Sequence, residues 1–323
     1  MRLIISSGSL LLLALCQALG QTGPTIVGPA YPLFGPGFAP GQIVTFQVTG
    51  LKTVLAAPVH ANVVPLPLVL SGISVRVNQN AIAGDSSFAA PLSSIVQTNV
   101  CGQDQTDTTP DCLVTSITLQ LPFELAFMPF NLPDPNVVYR TELVITENGV
   151  SSKGFKMGMN GESIHIVTGC DTQGAVCVTH ADGSLVTDAS PAAAGEEVVI
   201  YALGLGPTTP SVATGAATPV PAPTVAFPVY AQFNFSPNAG PTPMFALPSQ
   251  WTLPASYIPD FAGLTPGQVG LYQINVRIPA TIPALQACNS AGPFSFVSSN
   301  LTITISGIYG SYDAAPICVR PPK

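Results

Sequence analysis

Two similar stretches decide the fold: Gly41–Leu51 reads GQIVTFQVTGL, and Gly195–Leu205 reads GEEVVIYALGL. In each, apolar residues recur at every second position between two glycines, which is the pattern of a half-buried β-strand bounded by turns. The second stretch follows the first by 154 residues. The similarity suggests that the chain contains the same β unit twice.

Two further pairs of stretches repeat in the same order. Ile117–Pro122 (ITLQLP) corresponds to Ile274–Pro279 (INVRIP), 157 residues later, and Leu143–Gly149 (LVITENG) corresponds to Leu301–Gly307 (LTITISG), 158 residues later. Both members of the first of these pairs end on a proline, which removes a ladder donor and terminates a strand. Three matches at nearly constant spacing predict a tandem duplication.

Composition favours an ordered all-β chain. Of the 323 residues 47% are hydrophobic and only 8% are charged, and 34 prolines and 29 glycines punctuate the short alternating runs. Long amphipathic helices need charged residues on their wet face, so they are not expected. We predict two tandem immunoglobulin-like β-sandwich domains, residues 21–162 and 163–323, after a cleaved signal peptide.

Residues 1–20 are typical of a secretory signal peptide. Arg2 supplies the positive start, Leu3–Leu15 the apolar stretch, and Ala18–Gly20 a small-x-small cleavage site. The apolar stretch is too short for a membrane span, and no later segment offers about 20 uninterrupted apolar residues. Cys16 leaves a lipoprotein anchor as the alternative. We expect a secreted or cell-surface protein whose mature chain has no transmembrane segment.

The six remaining cysteines predict three disulfides, as an even number does in an exported chain. Sequence proximity favours Cys101–Cys112, Cys170–Cys177 and Cys288–Cys318, although other pairings stay open. A zinc site is not expected, because the chain has no C-x-x-C pair and its histidines lie far from paired thiols.

The second unit resembles a known module. The segments that carry the resemblance are His180–Thr187, Ala193–Pro207, Phe261–Gly267 and Gly270–Pro279. Over about residues 164–307 the chain is similar to an uncharacterised Ig-like C-terminal domain family of secreted acidobacterial proteins, itself similar to IPT/TIG-type sandwiches. The resemblance implies an exported bacterial β-sandwich and implies no catalytic residues. A long Pro- and aromatic-rich insertion and the tail with Cys288 and Cys318 depart from the family pattern.

The nearest approach to a catalytic cluster is His165, His180 and Asp182. Alternation on both sides of Asp171–Gly174 predicts a hairpin in which His165 faces Asp182. A carboxylate there can orient an imidazole for base catalysis or metal binding, but a surface polar pair is the simpler interpretation. No nucleophile elbow, H-E-x-x-H or Walker pattern occurs. We therefore predict no enzyme, no catalytic residue and no cofactor.

Three carboxylates, those of Asp104, Asp107 and Asp111, lie within the loop that Cys101 and Cys112 would close. Calcium prefers six to eight oxygen ligands in flexible loops, so these residues are weak calcium candidates. One loop supplies too few ligands by itself and the spacing is not that of an EF-hand. A solvated acidic loop is the alternative.

Aromatic residues crowd the inserted region 227–261. They are Phe227, Tyr230, Phe233, Phe235, Phe245, Trp251, Tyr257 and Phe261. Extracellular β-sandwiches bind sugars by stacking them on exposed rings, which makes Tyr230, Trp251 and Tyr257 candidate ligand contacts. The alternative is that these rings fill the second core and cover the sheet.

The sequence thus predicts a secreted or surface-exposed, non-enzymatic structural or adhesion-type protein. A net charge of −7 with nine basic residues excludes an electrostatic nucleic-acid binder. Expected partners are other surface or matrix proteins or polysaccharide; the alternative is a carbohydrate- or ligand-binding accessory module that uses residues 227–261. Neutral polar residues such as Thr302 and Thr304 are expected to cover exposed strand faces, which leaves weak electrostatic resistance to self-association.

Overall fold

The structure of the protein, a computed structural model, describes residues 23–30, 37–81, 84–101, 112–127, 140–172, 174–243, 258–290 and 296–322. Within these residues the chain forms β-strands and no α-helix, so the predicted all-β class is confirmed. The predicted signal peptide, residues 1–20, lies outside the described residues. The calcium candidates Asp104, Asp107 and Asp111 and the ligand candidates Trp251 and Tyr257 lie outside them as well.

The strands of the first half form two antiparallel sheets. In chain order they are β1 (Thr25–Pro29), β2 (Ile43–Thr49), β3 (Val59–His60), β4 (Val69–Leu70), β5 (Ile73–Ala81), β6 (Gly84–Ala90), β7 (Leu92–Asn99), β8 (Leu113–Gln120), β9 (Arg140–Glu147), β10 (Val150–Ser151) and β11 (Phe155–Met157). One sheet has the order β1-β2-β8-β7-β3. The other has the order β10-β9-β5-β4, with β6 paired to β5 and β11 paired to β9.

Both sheets bury one face in a single hydrophobic core. Phe46 of β2 and Ile117 of β8 enter it from the first sheet, and Val75 of β5 and Ile145 of β9 enter it from the second. Successive strand residues point to opposite faces, so the alternating sequence places every second side chain inward. Two sheets that share one core in this way form a β-sandwich.

The second half repeats this layered arrangement. Its strands are β12 (His165–Ile166), β13 (Val178–His180), β14 (Glu197–Leu203), β15 (Thr208–Thr209), β16 (Thr224–Val225), β17 (Val229–Asn234), β18 (Phe261–Leu264), β19 (Tyr272–Arg277), β20 (Leu301–Gly307) and β21 (Tyr312–Ile317). One sheet has the order β12-β14-β19-β18-β16-β15, with β13 also paired to β14, and the other has the order β17-β20-β21. Ile200, Ile274, Ala231 and Ile303 bring both sheets into a second core.

The strand pairs β2–β8 and β14–β19 have corresponding registers. Val44 pairs with Leu119 in the first, and Val198 pairs with Val276 in the second. These positions differ by 154 and 157 residues, the spacings of the matching sequence stretches.

The turns that precede β2 and β14 also carry the same hydrogen bonds. The amide of Gly41 donates to the carbonyl of Leu121 at 3.0 Å, and the amide of Gly195 donates to the carbonyl of Ile278 at 3.1 Å. Gly41 has a φ of 75° and Gly195 a φ of 81°, in the left-handed region that glycine adopts without a steric cost. Both glycines thus enter their strands through the same local conformation.

The three disulfides predicted from sequence proximity are confirmed. The Cα–Cα distances are 5.0 Å for Cys101–Cys112, 5.3 Å for Cys170–Cys177 and 6.0 Å for Cys288–Cys318, all within the range of protein disulfides. Such bonds are typical of oxidising, extracellular-type environments. No helix in the described part of the chain is long and apolar enough to cross a membrane.

The expectation that Thr302 and Thr304 face solvent is wrong. Both lie on the outer face of β20, yet they are only 1% and 0% exposed. The loop that follows β17 crosses this face: the hydroxyl of Thr302 donates to the carbonyl of Ala239, and the amide of Thr242 donates to the hydroxyl of Thr304. Alternation correctly predicted the strand, but it could not reveal that a loop covers its second face.

Candidate functional site

The predicted register of the His165–Asp182 hairpin is wrong. His165 of β12 pairs with Leu203, and His180 of β13 pairs with Val198, so both short strands lie one after the other along the same edge of β14. Among the described residues, the hairpin is reduced to the bridge between Thr168 and Val176, with bonds from the amide of Gly169 to Ala175 and from the amide of Cys177 to Val167. The chain leaves β14 after β12 and returns to it beyond the Cys170–Cys177 disulfide, which separates His165 from Asp182.

His180 instead contacts two residues that the sequence interpretation did not include, Glu196 and Ser190. Its Nδ1 bonds to Oε1 of Glu196, and its Nε2 lies 3.1 Å from the carbonyl oxygen and 3.3 Å from the hydroxyl of Ser190. Burial acts to lower the pKa of His180, but the bond to Glu196, the Ser190 carbonyl and the charge of Asp182 outweigh it and raise the pKa above its ordinary value.

The order Glu196–His180–Ser190 has the connectivity of a hydrolase triad, but its hydrogen bonds do not favour that chemistry. A carbonyl oxygen only accepts, so Nε2 must donate to Ser190, while Nδ1 donates to Glu196. An imidazole that donates from both nitrogens is an imidazolium and has no lone pair for a serine proton. The amide of Ser190 is also engaged, by the hydroxyl of Thr187 at 3.0 Å. Below the raised pKa of His180, the cluster is an ion pair that ties β13 to the turn before β14.

Glu196 also performs a local structural task. Its Oε2 accepts the amide of Ala193 at 2.7 Å, just as the side chain of Gln42 accepts the amide of Ala39 at 2.9 Å before β2. The sequence showed the correspondence of Gln42 and Glu196, since both follow the first glycine of the matching stretches. It gave no signal for the added bond to His180.

Asp182 stabilises its own turn. It is exposed, and its Oδ1 accepts the hydroxyl of Ser184 at 2.6 Å and the amide of Ser184 at 2.9 Å. These bonds lower the pKa of Asp182. In the described residues no group of three or more His, Cys, Asp or Glu side chains is placed to hold a metal ion.

The described rings of the aromatic insertion are largely engaged in packing. Phe233 and Phe235 stack with ring centroids 6.4 Å apart and pack against the second core. Phe227 makes edge contacts with Phe127 of the first half, at 5.7 Å, and with Tyr309 of the second, at 5.1 Å. Tyr230, the described ligand candidate, is half-buried on β17 opposite Ser306.

The contact between the two halves, here called the junction, contains a buried glutamine. Gln120 is 1% exposed. Its Oε1 accepts the amide of Gly215 from the second half at 2.6 Å, and its Nε2 donates to the carbonyl of Gly41 at 3.3 Å. The carbonyl oxygen of Gly215 also accepts a hydrogen bond from the amide of Leu66, a residue of the first half, at 2.9 Å. A buried amide satisfied from both sides fixes the relative position of the two segments.

A threonine continues the junction. The hydroxyl of Thr214 accepts the amide of Phe123 at 2.9 Å and donates to the carboxylate of Glu124 at 2.7 Å. The ring of Phe123, a residue of the first half, packs against the second core. The junction therefore combines apolar burial with directional hydrogen bonds.

The segment that links the halves is also held. Asn160 donates to the carbonyl of Glu162 at 2.9 Å, and Glu162 is 0% exposed and accepts the amide of Tyr309. The Tyr309 ring contacts Phe127 of the first half with centroids 5.8 Å apart. The turn between β20 and β21 thus contacts both the linking segment and the first sandwich.

Comparisons with protein-family models and with curated proteins find no match for the chain.

Proposed function

We propose that the chain is an exported, non-enzymatic structural or adhesion-type protein in which two immunoglobulin-like sandwiches are fixed against each other. The observation that carries this proposal is the junction, where Gln120 and Thr214 make satisfied hydrogen bonds between the halves. A fixed two-domain unit holds its end loops at a constant separation, which suits a protein that spaces or displays contact surfaces.

Strand order supports the immunoglobulin-like assignment. In the second half β12-β14-β19-β18 faces β17-β20-β21, which corresponds to sheets ABED and CFG of the immunoglobulin fold. In the first half β1-β2-β8-β7 and β5-β9-β11 follow the same orders. Together with the corresponding registers, these orders support a duplication of one unit and the family resemblance proposed for residues 164–307.

Export is supported by the three disulfides and by the signal-peptide pattern of residues 1–20. Mass determination of the protein recovered from the culture medium tests it. We expect a mature chain that begins at Gln21. A full-length chain retained in the cytoplasm would contradict export.

The non-enzymatic proposal is tested at the Glu196–His180–Ser190 cluster. Purified protein and the variant Ser190→Ala are assayed for hydrolysis of p-nitrophenyl acetate across neutral pH. Because both imidazole nitrogens donate hydrogen bonds, we expect equal background rates for the two proteins. A rate that the substitution abolishes would show that the cluster is a hydrolase site.

Binding of the full chain to immobilised matrix proteins and to surface polysaccharides tests the adhesion role. We expect saturable binding that is unchanged when the candidate ligand contacts Tyr230, Trp251 and Tyr257 are substituted. The alternative carbohydrate function predicts that oligosaccharide shifts the fluorescence of Trp251, the only tryptophan in the sequence, and that Trp251→Ala abolishes binding. This second result would replace adhesion by the accessory-module function.

A further inference from the structure

Glu162 lies in the segment of the chain that links the two cores. The first core ends at Met157 and the second begins at Ile164. Glu162 is 0% exposed, although burial of an ionised carboxylate is unfavourable unless hydrogen bonds or an opposite charge compensate for the lost hydration.

The turn between β20 and β21 supplies the compensation. Oε1 of Glu162 accepts the amide of Tyr309, and the nearby amides of Ile308 and Ser311 also favour the ionised carboxylate. Its Oε2 is buried without a hydrogen-bond partner. The carboxyl group is therefore only partly satisfied, and the turn is joined to it through the amide of Tyr309.

Tyr309 connects this carboxyl group to the first sandwich. Its ring contacts Phe127 of the first half and Phe227 of the second, and Gly161 lies close against the same ring. A displacement of the turn would therefore remove the aromatic contacts that bridge the halves.

We propose that Glu162 makes the junction responsive to pH, so that loss of its proton loosens the turn between β20 and β21 and releases the contact of Tyr309 with the first sandwich. The inference goes beyond the proposed function, which requires only that the halves are fixed together.

The electrostatic surroundings support this direction. Burial raises the pKa of Glu162 to about 7, although the amides of Tyr309, Ile308 and Ser311 oppose the shift. Tyr309 is the titratable neighbour on the turn, and burial and the charge of Glu162 raise its pKa.

Farther along the contact between β12 and β21 lie His165 and Asp313. Burial lowers the pKa of His165, with Asp313 opposing. His165 is therefore neutral near pH 7. Among these described neighbours no cation compensates an ionised Glu162.

Linkage gives the sign and size of the effect. Glu162 has an ordinary pKa of 4.5 once the turn opens and water reaches it, and a pKa of about 7 while the turn is closed. The closed state binds the proton more tightly, so rising pH favours opening. These two values predict that the opening constant rises about 30-fold between about pH 5.5 and pH 8.5.

Hydrogen exchange of the full chain, corrected for intrinsic rates, measures this opening. We expect the protection of the Ile308–Ser311 amides to fall about 30-fold between about pH 5.5 and pH 8.5, and protection in β14 to change much less. Glu162→Gln removes the titration and should flatten the profile. Glu147→Gln is the matched control, because Glu147 is 4% exposed and accepts the amides of Lys52 and Thr53.

Glu147 differs from Glu162 in the direction of its pKa shift. Burial acts to raise the pKa of Glu147, but the amides of Lys52 and Thr53 lower it overall, so Glu147 is ionised across the whole range. Its substitution should leave the slope at Ile308–Ser311 unchanged. If the protection of the Ile308–Ser311 amides in the unmodified protein does not depend on pH, the proposal is overturned, even if Glu162→Gln does not fold. The proposal is also overturned if both variants flatten the pH profile equally. A single fixed junction at every pH would leave the proposed function intact.

Discussion

At the scale of single residues, the contacts of His180 are made by residues that no sequence motif or hydrophobic pattern links to it. Ser190 and Glu196 lie 10 and 16 residues from His180, and only the pairing of β13 with β14 brings Glu196 to the imidazole. Periodicity correctly predicts that these segments are strands. It does not predict the register of a two- or three-residue strand, because so short a strand has almost no hydrophobic pattern to specify it.

The His180–Glu196 pair predicts an altered titration. NMR titration of the imidazole resonances should show the His180 pKa above its ordinary value of 6.5, and Glu196→Gln should lower it, since burial then meets less opposition. His165 provides the internal control and should be unchanged by the substitution. A His180 pKa that is insensitive to Glu196→Gln would contradict the ion pair.

The His180–Glu196 pair also predicts how the stability of the protein changes with pH. A histidine whose pKa rises on folding stabilises the protein fully below the unfolded pKa, and this contribution is lost as pH rises through the folded value. The difference in unfolding free energy between wild type and Glu196→Gln should therefore be larger at about pH 6 than at about pH 9. Urea unfolding at both pH values measures it, and the opposite trend would exclude the assignment.

Comparing alanine substitutions at two corresponding glycines distinguishes the cost of backbone strain from the cost of steric overlap. Gly50 and Gly204 have φ values of 73° and 75°, but a Cβ on Gly204 would lie 1.9 Å from the carbonyl oxygen of Ser163, whereas on Gly50 the nearest atom, the carbonyl oxygen of Gly23, lies at 3.7 Å. Gly50→Ala should cost about 1–2 kcal/mol for the left-handed backbone. Gly204→Ala should cost clearly more. Equal losses in urea unfolding would contradict the close approach.

At the scale of elements, alternation predicts the central strands well. The runs expected to form strands lie within or directly beside β2, β8, β9, β14, β19 and β20. Alternation fails at the outer face of β20, because threonine is compatible with both a solvated face and a covered one. The covering loop is joined to this face by hydrogen bonds, which hydrophobic patterns do not report.

The covered face predicts a difference between two corresponding threonines. Thr304→Val should leave the amide of Thr242 without its acceptor and cost about 1–3 kcal/mol. Thr146 of β9 corresponds to Thr304, but it is half-buried and its hydroxyl bonds to the hydroxyl of the exposed residue Ser151. Thr146→Val should therefore change stability by less than about 0.5 kcal/mol. Urea unfolding compares the two variants. A larger loss at Thr146 would show that the loop does not support β20.

At the scale of the whole molecule, the junction is the feature that sequence could not reveal. The repeat predicts two similar units, but it carries no information on their mutual packing. The bonds of Gln120 to Gly215 and of Phe123 to Thr214 join residues about 90 positions apart, and Thr214 and Gly215 lie in a segment without regular alternation. Some of the neutral polar residues that the sequence places on strands, such as Thr304, lie inside the molecule, and self-association stays a prediction.

Two buried glutamines test the junction by substitution. Gln120→Leu removes a hydrogen bond between the halves, whereas Gln79→Leu removes bonds to Ala126 within the first half. Both should lower stability by about 1–3 kcal/mol. Only Gln120→Leu should separate the calorimetric transitions of the two sandwiches. Separation by Gln79→Leu alone would place the coupling elsewhere.

The most direct test of the central claim is the orientation of the two sandwiches in solution. Residual dipolar couplings from weakly aligned, full-length mature protein are fitted separately for the strands of residues 23–157 and 164–319. The account predicts one common alignment tensor for both sets near pH 5.5. Tensors of clearly different magnitude and direction would mean that the halves move independently, and would contradict the proposal of a fixed two-domain unit.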